Sequence, residues 1–214
     1  MCSSDLAPSH VDINRIWIGT DDGVIQTTAD GGKTWADVTP PQLQPWAKVS
    51  ILDTGYTDPL TAYAAINTIR LDDMRPHILR THDGGKTWTE IVNGIPDGAP
   101  VNVVRPDPKK KGLLFAGTET TVYVSFDDGD HWQSLSLNLP NTSYRDLTIK
   151  GKGAEHDLTL LDATSSLPTG TVKKIVAKGK QILILVGTVT LLHDAQNVKP
   201  TIEGVVTHGS EVVS

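Results

Sequence analysis

The octapeptide TADGGKTW at Thr28–Trp35 returns as THDGGKTW at Thr81–Trp88 and, altered, as SFDDGDHW at Ser125–Trp132. The three starts lie 53 and 44 residues apart, which marks one supersecondary unit used repeatedly. Each copy follows a short apolar run (Val24–Gln26, Ile78–Leu79, Val122–Val124), and another strand-like run opens at its Trp. The residue types suit a tight turn between antiparallel strands. Thr28, Thr81 and Ser125, with Asp30, Asp83 and Asp127, can accept hydrogen bonds from turn N–H groups, and Gly32, Gly85 and Gly129 can supply positive φ. Thr34 and Thr87 add a hydroxyl, where the third copy has His131, which puts one turn hydrogen bond in doubt. Trp35, Trp88 and Trp132 are expected to cover their own hairpins. On this account the aspartates store folding information and are not catalytic.

The pattern Ser/Thr-x-Asp-x-Gly-x-Thr-Trp resembles the Asp-box, or bacterial neuraminidase repeat, of sialidase-like and sortilin-like β-propellers. The stretches GTDDGVIQTTADGGKTW and YVSFDDGDHWQSLSLNLP look like those of large bacterial propeller proteins. The resemblance covers about residues 14–150. It implies an all-β chain forming a partial or open propeller of about three four-stranded antiparallel blades, with further blades outside this sequence. It also implies an extracellular or periplasmic location. With blade strands lettered A to D and the Asp-box at the C to D turn, blade one has B at Arg15–Thr20, C at Gly23–Thr28 and D at Thr34–Val38, and no strand A. Blade two runs Lys48–Leu52, Thr61–Ile66, His77–Thr81 and Thr87–Val92. Blade three runs Val101–Arg105, Leu113–Thr118, Thr121–Phe126 and His131–Leu135, and Asp146–Lys150 opens a fourth.

Composition divides the chain further. All 11 aromatic residues lie between Trp17 and Tyr144, and the last 70 residues have none. Residues 151–214 are therefore expected to form a separate β-rich tail with short strands within Asp157–Leu161, Val172–Ala177, Gln181–Val186, Thr188–Leu192, Gly204–Thr207 and Glu211–Val213. Residues 1–13 are expected to be disordered or non-native. Met1–Leu6 has no apolar core of signal-peptide length, and it matches the translation of a common sequencing adapter, so the native reading frame is expected to be longer. The net charge of −6 leaves no basic excess for nucleic acid. The aliphatic run Ile182–Val186 is far short of the roughly 20 residues of a membrane span. One cysteine, Cys2, excludes an internal disulfide and a cysteine-based zinc site.

Familiar chemistry is missing on inspection. GGKT at Gly31–Thr34 and Gly84–Thr87 imitates a phosphate-binding loop, but Thr27 and Arg80 stand where that loop needs Gly. Asp127–Asp130 lacks the spacing of an EF-hand, and the seven His residues form no zinc motif. No cofactor, metal site or complete catalytic set is expected. In an antiparallel meander the B to C and D to A loops share the face opposite the Asp-boxes, and loops on a rigid scaffold commonly carry recognition. The B to C loop Asn67–Pro76, with Arg70, Asp72, Asp73 and Arg75, is thus the candidate ligand loop. The expected function is a scaffold binding peptide or glycan. The alternative is part of a glycoside hydrolase, sialidase-like or xyloglucan-degrading, completed by blades outside this sequence.

Overall fold

The computed structural model describes residues 3–135 and 139–150 together with the strands within 155–162, 168–178, 181–185, 205–206 and 212–213; side chains are described for 5–135 and 139–149. Three four-stranded antiparallel meanders follow one another. Blade one comprises β1 (Ser3–Pro8), β2 (Ile16–Thr20), β3 (Ile25–Thr28) and β4 (Ala36–Asp37). Blade two comprises β5 (Lys48–Thr54), β6 (Ala62–Asn67), β7 (His77–Thr81) and β8 (Thr89–Glu90). Blade three comprises β9 (Val101–Pro106), β10 (Leu114–Thr118), β11 (Val122–Ser125) and β12 (Gln133–Ser134). The first strands β1, β5, β9 and the next one, β13 (Tyr144–Lys150), are neighbours in turn, so they form the inner wall of an arc of blades. The all-β partial propeller is thus the observed fold.

Two features differ from the sequence reading. Blade one has a strand A: Ser3–Pro8 pairs antiparallel with Ile16–Thr20. SSDLAP carries no clear alternation, and the pairing is supplied by the neighbouring strand rather than by local propensity. The second difference is at the far end, where β13 is the first strand of a six-stranded antiparallel sheet with β14 (Glu155–Asp162), β15 (Pro168–Lys178), β16 (Gln181–Leu185), β17 (Val205–Val206) and β18 (Val212–Val213). The strand expected at Thr188–Leu192 lies outside the described residues.

Period-two alternation explains how blades stack. In β10, Leu114 and Ala116 face blade two while Phe115 faces the following sheet. In β6, Ala62, Ala64 and Ile66 face blade one while Tyr63 and Ala65 face blade three. Middle strands are therefore buried on both sides, as in sheets packed face to face. Closeness is set by small residues at one register position, Gly19, Ala65 and Gly117, each in the fourth pair of its hairpin counted from Thr28, Thr81 and Ser125. A Cβ on Gly19 would lie 2.3 Å from Val49 Cγ1, and one on Gly117 would lie 2.8 Å from the Tyr144 carbonyl oxygen.

The repeated Trp residues do more than cover their own turns. Trp88 donates its indole N–H to the Val38 carbonyl of blade one at 2.8 Å, and Trp132 donates to the Ile91 carbonyl of blade two at 2.8 Å. Each ring packs in the cluster shared with the preceding blade. Only Trp35 stays over its own hairpin, near Gly32, and it is 38% exposed. Outer strands of two exposed residues contribute little on their own, so the next blade's Trp is what holds each one down.

This asymmetry has a measurable consequence. Trp132→Ala removes a ring that is 4% exposed and strands the Ile91 carbonyl, and should lower unfolding free energy by about 3–5 kcal/mol. Trp35→Ala should cost well under half as much, about 1 kcal/mol. Urea denaturation of both variants checks this, and equal losses would refute the inter-blade role.

Candidate functional site

The three turns share one hydrogen-bond scheme. Thr28 Oγ1 accepts the Gly32 N–H at 3.0 Å and donates to Asp30 Oδ1 at 2.7 Å. Asp30 Oδ1 accepts the Lys33 and Thr34 N–H groups at 2.9 Å, and Oδ2 accepts the Thr34 hydroxyl at 2.6 Å. Thr81, Asp83, Gly85 and Thr87 repeat this, with the Thr87 N–H and hydroxyl at 2.9 and 2.6 Å from Asp83. Ser125, Asp127 and Gly129 do the same, and His131 replaces the threonine: its Nδ1 lies 2.7 Å from Asp127 Oδ2. The bond placed in doubt at His131 is thus kept by an imidazole. Gly32, Gly85 and Gly129 have φ of +91°, +86° and +94°, where a Cβ would be strained. The hydroxyl and N–H groups of Thr34 and Thr87 hold the Asp30 and Asp83 carboxyls down to about 2. Burial pushes Asp127 up, but the bonds from His131 and Ser125 outweigh it and leave this carboxyl low. Carboxylates saturated in this way serve the turn.

The candidate ligand loop divides between two places. Its first half winds into a short 3-10 helix, Ile69–Leu71, closed by Asp72 at φ 58°. Arg70 there is a strut: its Nε donates to the Trp46 carbonyl at 3.1 Å, and its Nη2 donates to the Asp21 carbonyl, tying blade two to blade one. The second half is self-paired. Arg75 binds both oxygens of Asp73 at 2.9 and 2.6 Å, and the bonds from Arg75 hold that carboxyl well below the ordinary carboxylate range. His77 stands between Asp73 and Glu90 at 3.3 and 2.6 Å. Asp73 and Arg75 border an outer cleft with Gln42, Gln44 and Glu90, whereas Arg70 borders a central one.

The central cleft, about 390 Å³, is lined by Lys48, Ser50, Asn67, Arg70, Asn102, Glu119 and Arg145 among others. Its floor is a polar ladder spanning blades two and three: Asn67 Nδ2 donates to Asn102 Oδ1 at 2.9 Å, and Asn102 Nδ2 donates to Glu119 Oε1 at 3.0 Å. Asn102 is 7% exposed, so its amide is set by the fold. Lys48 lies 3.6 Å from Asp21 with both side chains 43% exposed, a pairing weak enough to yield to a ligand. Arg145 is exposed and has no ion pair among the described residues. Three cations thus face one carboxylate, and that carboxylate is already engaged. Except for Asn67 and Arg70, the sequence reading missed these residues because they come from separate blades. The available signal was positional: Lys48, Asn102 and Arg145 each lie at the first or second residue of an inner strand.

The other end of the inner wall is acidic and internally paired. Arg105 is held between Asp53 and Asp146 at 3.1 and 3.0 Å. The His10 ring stacks on Tyr56 with centroids 3.8 Å apart. Burial raises the Asp5 carboxyl nearby, against the Leu52 N–H that it accepts.

No protein-family model and no curated protein matches the chain. Solved structures do. YCF48 bound to a D1 peptide superposes with a TM-score of 0.55 at 15% identity over 86% of this chain and 62% of that one. YCF48 from Cyanidioschyzon merolae gives 0.51 at 18% over 97% and 73%. The GH74 enzyme of Niastella koreensis gives 0.59 at 15% over 86% and 30%. These are β-propeller proteins, and at such identities the likeness is one of fold. The chain spans less than two thirds of the YCF48 and GH74 chains just named first and last.

The turn geometry sets an acid response. Folded Asp30 and Asp83 near 2, below the unfolded value near 3.8, contribute stability that is present above about pH 4 and is lost as pH falls through 2. NMR titration should give carboxyl midpoints near 2 for both, and Thr34→Val and Thr87→Val should each move their own aspartate up. Midpoints near 3.9 in the parent protein would refute the scheme.

Proposed function

We propose that the chain is an interaction module that captures a carboxylate-bearing peptide in the central cleft. The observation that carries this reading is a concentration of cations, Lys48, Arg70 and Arg145, around the fixed amides of Asn67 and Asn102, in a chain whose net charge is −6. A guanidinium offers a planar fork for carboxylates, and buried amides can pair with an extended backbone. Arg70 keeps the cleft wall in place while Lys48 and Arg145 meet the ligand. YCF48, a fold relative, has been solved with a peptide bound, which is compatible with such use of the fold.

In this reading the turns belong to the Asp-box class, with Thr28, Asp30, Gly32, Thr34 and Trp35 and their repeats in structural roles. Further blades complete the native arc, the tail is an appended unit, and the protein works outside the cytoplasm. The glycoside-hydrolase alternative needs an acid and a base carboxylate across one cleft. The central cleft has Glu119 among its lining residues, already bonded to Asn102, which favours binding over hydrolysis.

The test uses a labelled peptide of Asp and Glu residues with a free C-terminal carboxylate, followed by fluorescence anisotropy. Arg145→Ala and Lys48→Ala should each weaken binding about tenfold, near 1.4 kcal/mol, and added salt should weaken it further. Affinity equal to the parent protein's in both variants refutes the site. Release of reducing sugar from xyloglucan, abolished by Glu119→Gln, would support the hydrolase instead.

A further inference from the structure

The outer cleft, about 250 Å³, lies between the connection from blade one to blade two and the second half of the loop Asn67–Pro76. Its floor is apolar. Ala47, Ile66 and Leu79 are each at most 4% exposed, and Leu43 packs against the same cluster. The rim is polar and comes from both blades. Arg75 occupies both oxygens of Asp73 at 2.9 and 2.6 Å, so that carboxylate is spent. Glu90 is not. Its side chain is 49% exposed, its Oε1 lies 2.6 Å from His77 Nδ1, and its Oε2 has no hydrogen bond among the described residues.

On the facing rim Gln42 and Gln44 are exposed, and their side-chain amides have no hydrogen bond among the described residues. Their backbone is fixed, because the Leu43 N–H donates to the Pro40 carbonyl at 2.9 Å and the Ala47 N–H to the Gln44 carbonyl at 3.1 Å. The cleft thus combines an apolar trough, one uncommitted carboxylate oxygen and two uncommitted amides. Around it two carboxylates stand against one guanidinium and one imidazole.

We propose that the outer cleft takes a lysine side chain of a partner polypeptide, its methylene stem on Leu43, Ala47 and Leu79 and its ammonium at Glu90 Oε2. A lysine stem lies on apolar surface while its head stays polar, which matches a trough with a charged rim. An ammonium spreads three donors over separate acceptors, here Glu90 and the oxygens of Gln42 and Gln44. An arginine fork wants paired carboxylate oxygens, and those of Asp73 are already taken by Arg75. Each glutamine amide also carries donors, so the same two side chains can bond the backbone beside a bound lysine, which a free amine lacks. This site is independent of the carboxylate-binding reading of the central cleft.

Methyl-resolved NMR titration of the full chain with the peptide acetyl-Gly-Lys-Gly-amide tests this. The methyl signals of Leu43, Ile66 and Leu79 should shift, and those of Ile51 and Ile69 in the central cleft should stay in place. Acetylating the lysine amine, or replacing lysine with diaminopropionic acid, whose stem is a single methylene, should each weaken binding at least about tenfold. Glu90→Gln keeps an oxygen for His77 and should have a similar effect. The two altered peptides need no variant protein, so the test survives a variant that folds poorly. Four results each overturn the proposal: no shift at millimolar peptide, equal binding of the acetylated peptide, a folded Glu90→Gln protein with the parent's affinity, or butylamine binding as tightly as the peptide, which would make a free amine the ligand.

Discussion

The indole N–H that crosses from one blade to the carbonyl of the blade before it is the contact on which the arc depends. Trp88 reaches Val38 and Trp132 reaches Ile91, in each case three residues beyond the preceding repeat's Trp. The Asp-Gly turn exists to aim that ring. In the turn that carries Trp88 the Asp83 carboxylate gathers three donors, from Thr81 and Thr87, its glycine takes positive φ, and the turn glycine closes over the aliphatic side chain of the preceding blade, as in the next repeat, where a Cβ on Gly129 would lie 2.3 Å from Ile91 Cδ1. A local hydrogen-bond motif is thereby converted into a long-range staple between sheets. An outer strand only two residues long can then survive without a full ladder of its own.

A second, polar seam reinforces blades two and three. Tyr63 donates to Asp128 Oδ1 at 2.5 Å, His82 lies 2.8 Å from Asp128 Oδ2, and Arg80 reaches Asp130 at 3.0 Å. Burial first, and the Asp128 hydrogen bond second, push the Tyr63 phenol well up, so it stays a donor across the physiological range. Asp128 itself has φ 66°, a conformation that Asp tolerates better than most residues. The cost of that backbone is offset by three partners at once.

Charge is distributed unevenly over the inner wall. At one end Arg105 is neutralised by Asp53 and Asp146, and the group is internally satisfied. At the other end Lys48 is weakly paired and Arg145 has no ion pair among the described residues, beside a ladder of fixed amides. Exposed cations beside an internally satisfied polar ladder suit an anionic ligand, because the ladder needs no reordering on binding and the cations supply long-range attraction. Arg70 illustrates the limit of judging a charge by its exposure. Its guanidinium already serves two backbone carbonyls.

By itself the sequence determined the turns, the three-blade repeat, and the pairing of the strands on either side of each turn. These are local: the Thr-Asp-Gly spacing, the glycine, and the period-two alternation on either side of each turn are all read within about 20 residues. Tertiary structure decided what each turn is for and where a ligand could sit. The destinations of Trp88 and Trp132 lie 50 and 41 residues away, and no local pattern names Val38 or Ile91 as acceptors. Strand β1 was illegible because SSDLAP becomes a strand only against Ile16–Thr20. The candidate cleft was half legible, through Asn67 and Arg70, since Lys48, Asn102 and Arg145 meet only when inner strands of successive sheets are laid side by side. The loop containing Arg70 and Arg75 was correctly placed on the face opposite the turns, but which of its charges are spent inside the protein depends on Asp21, Trp46, His77 and Glu90, residues that only folding brings near.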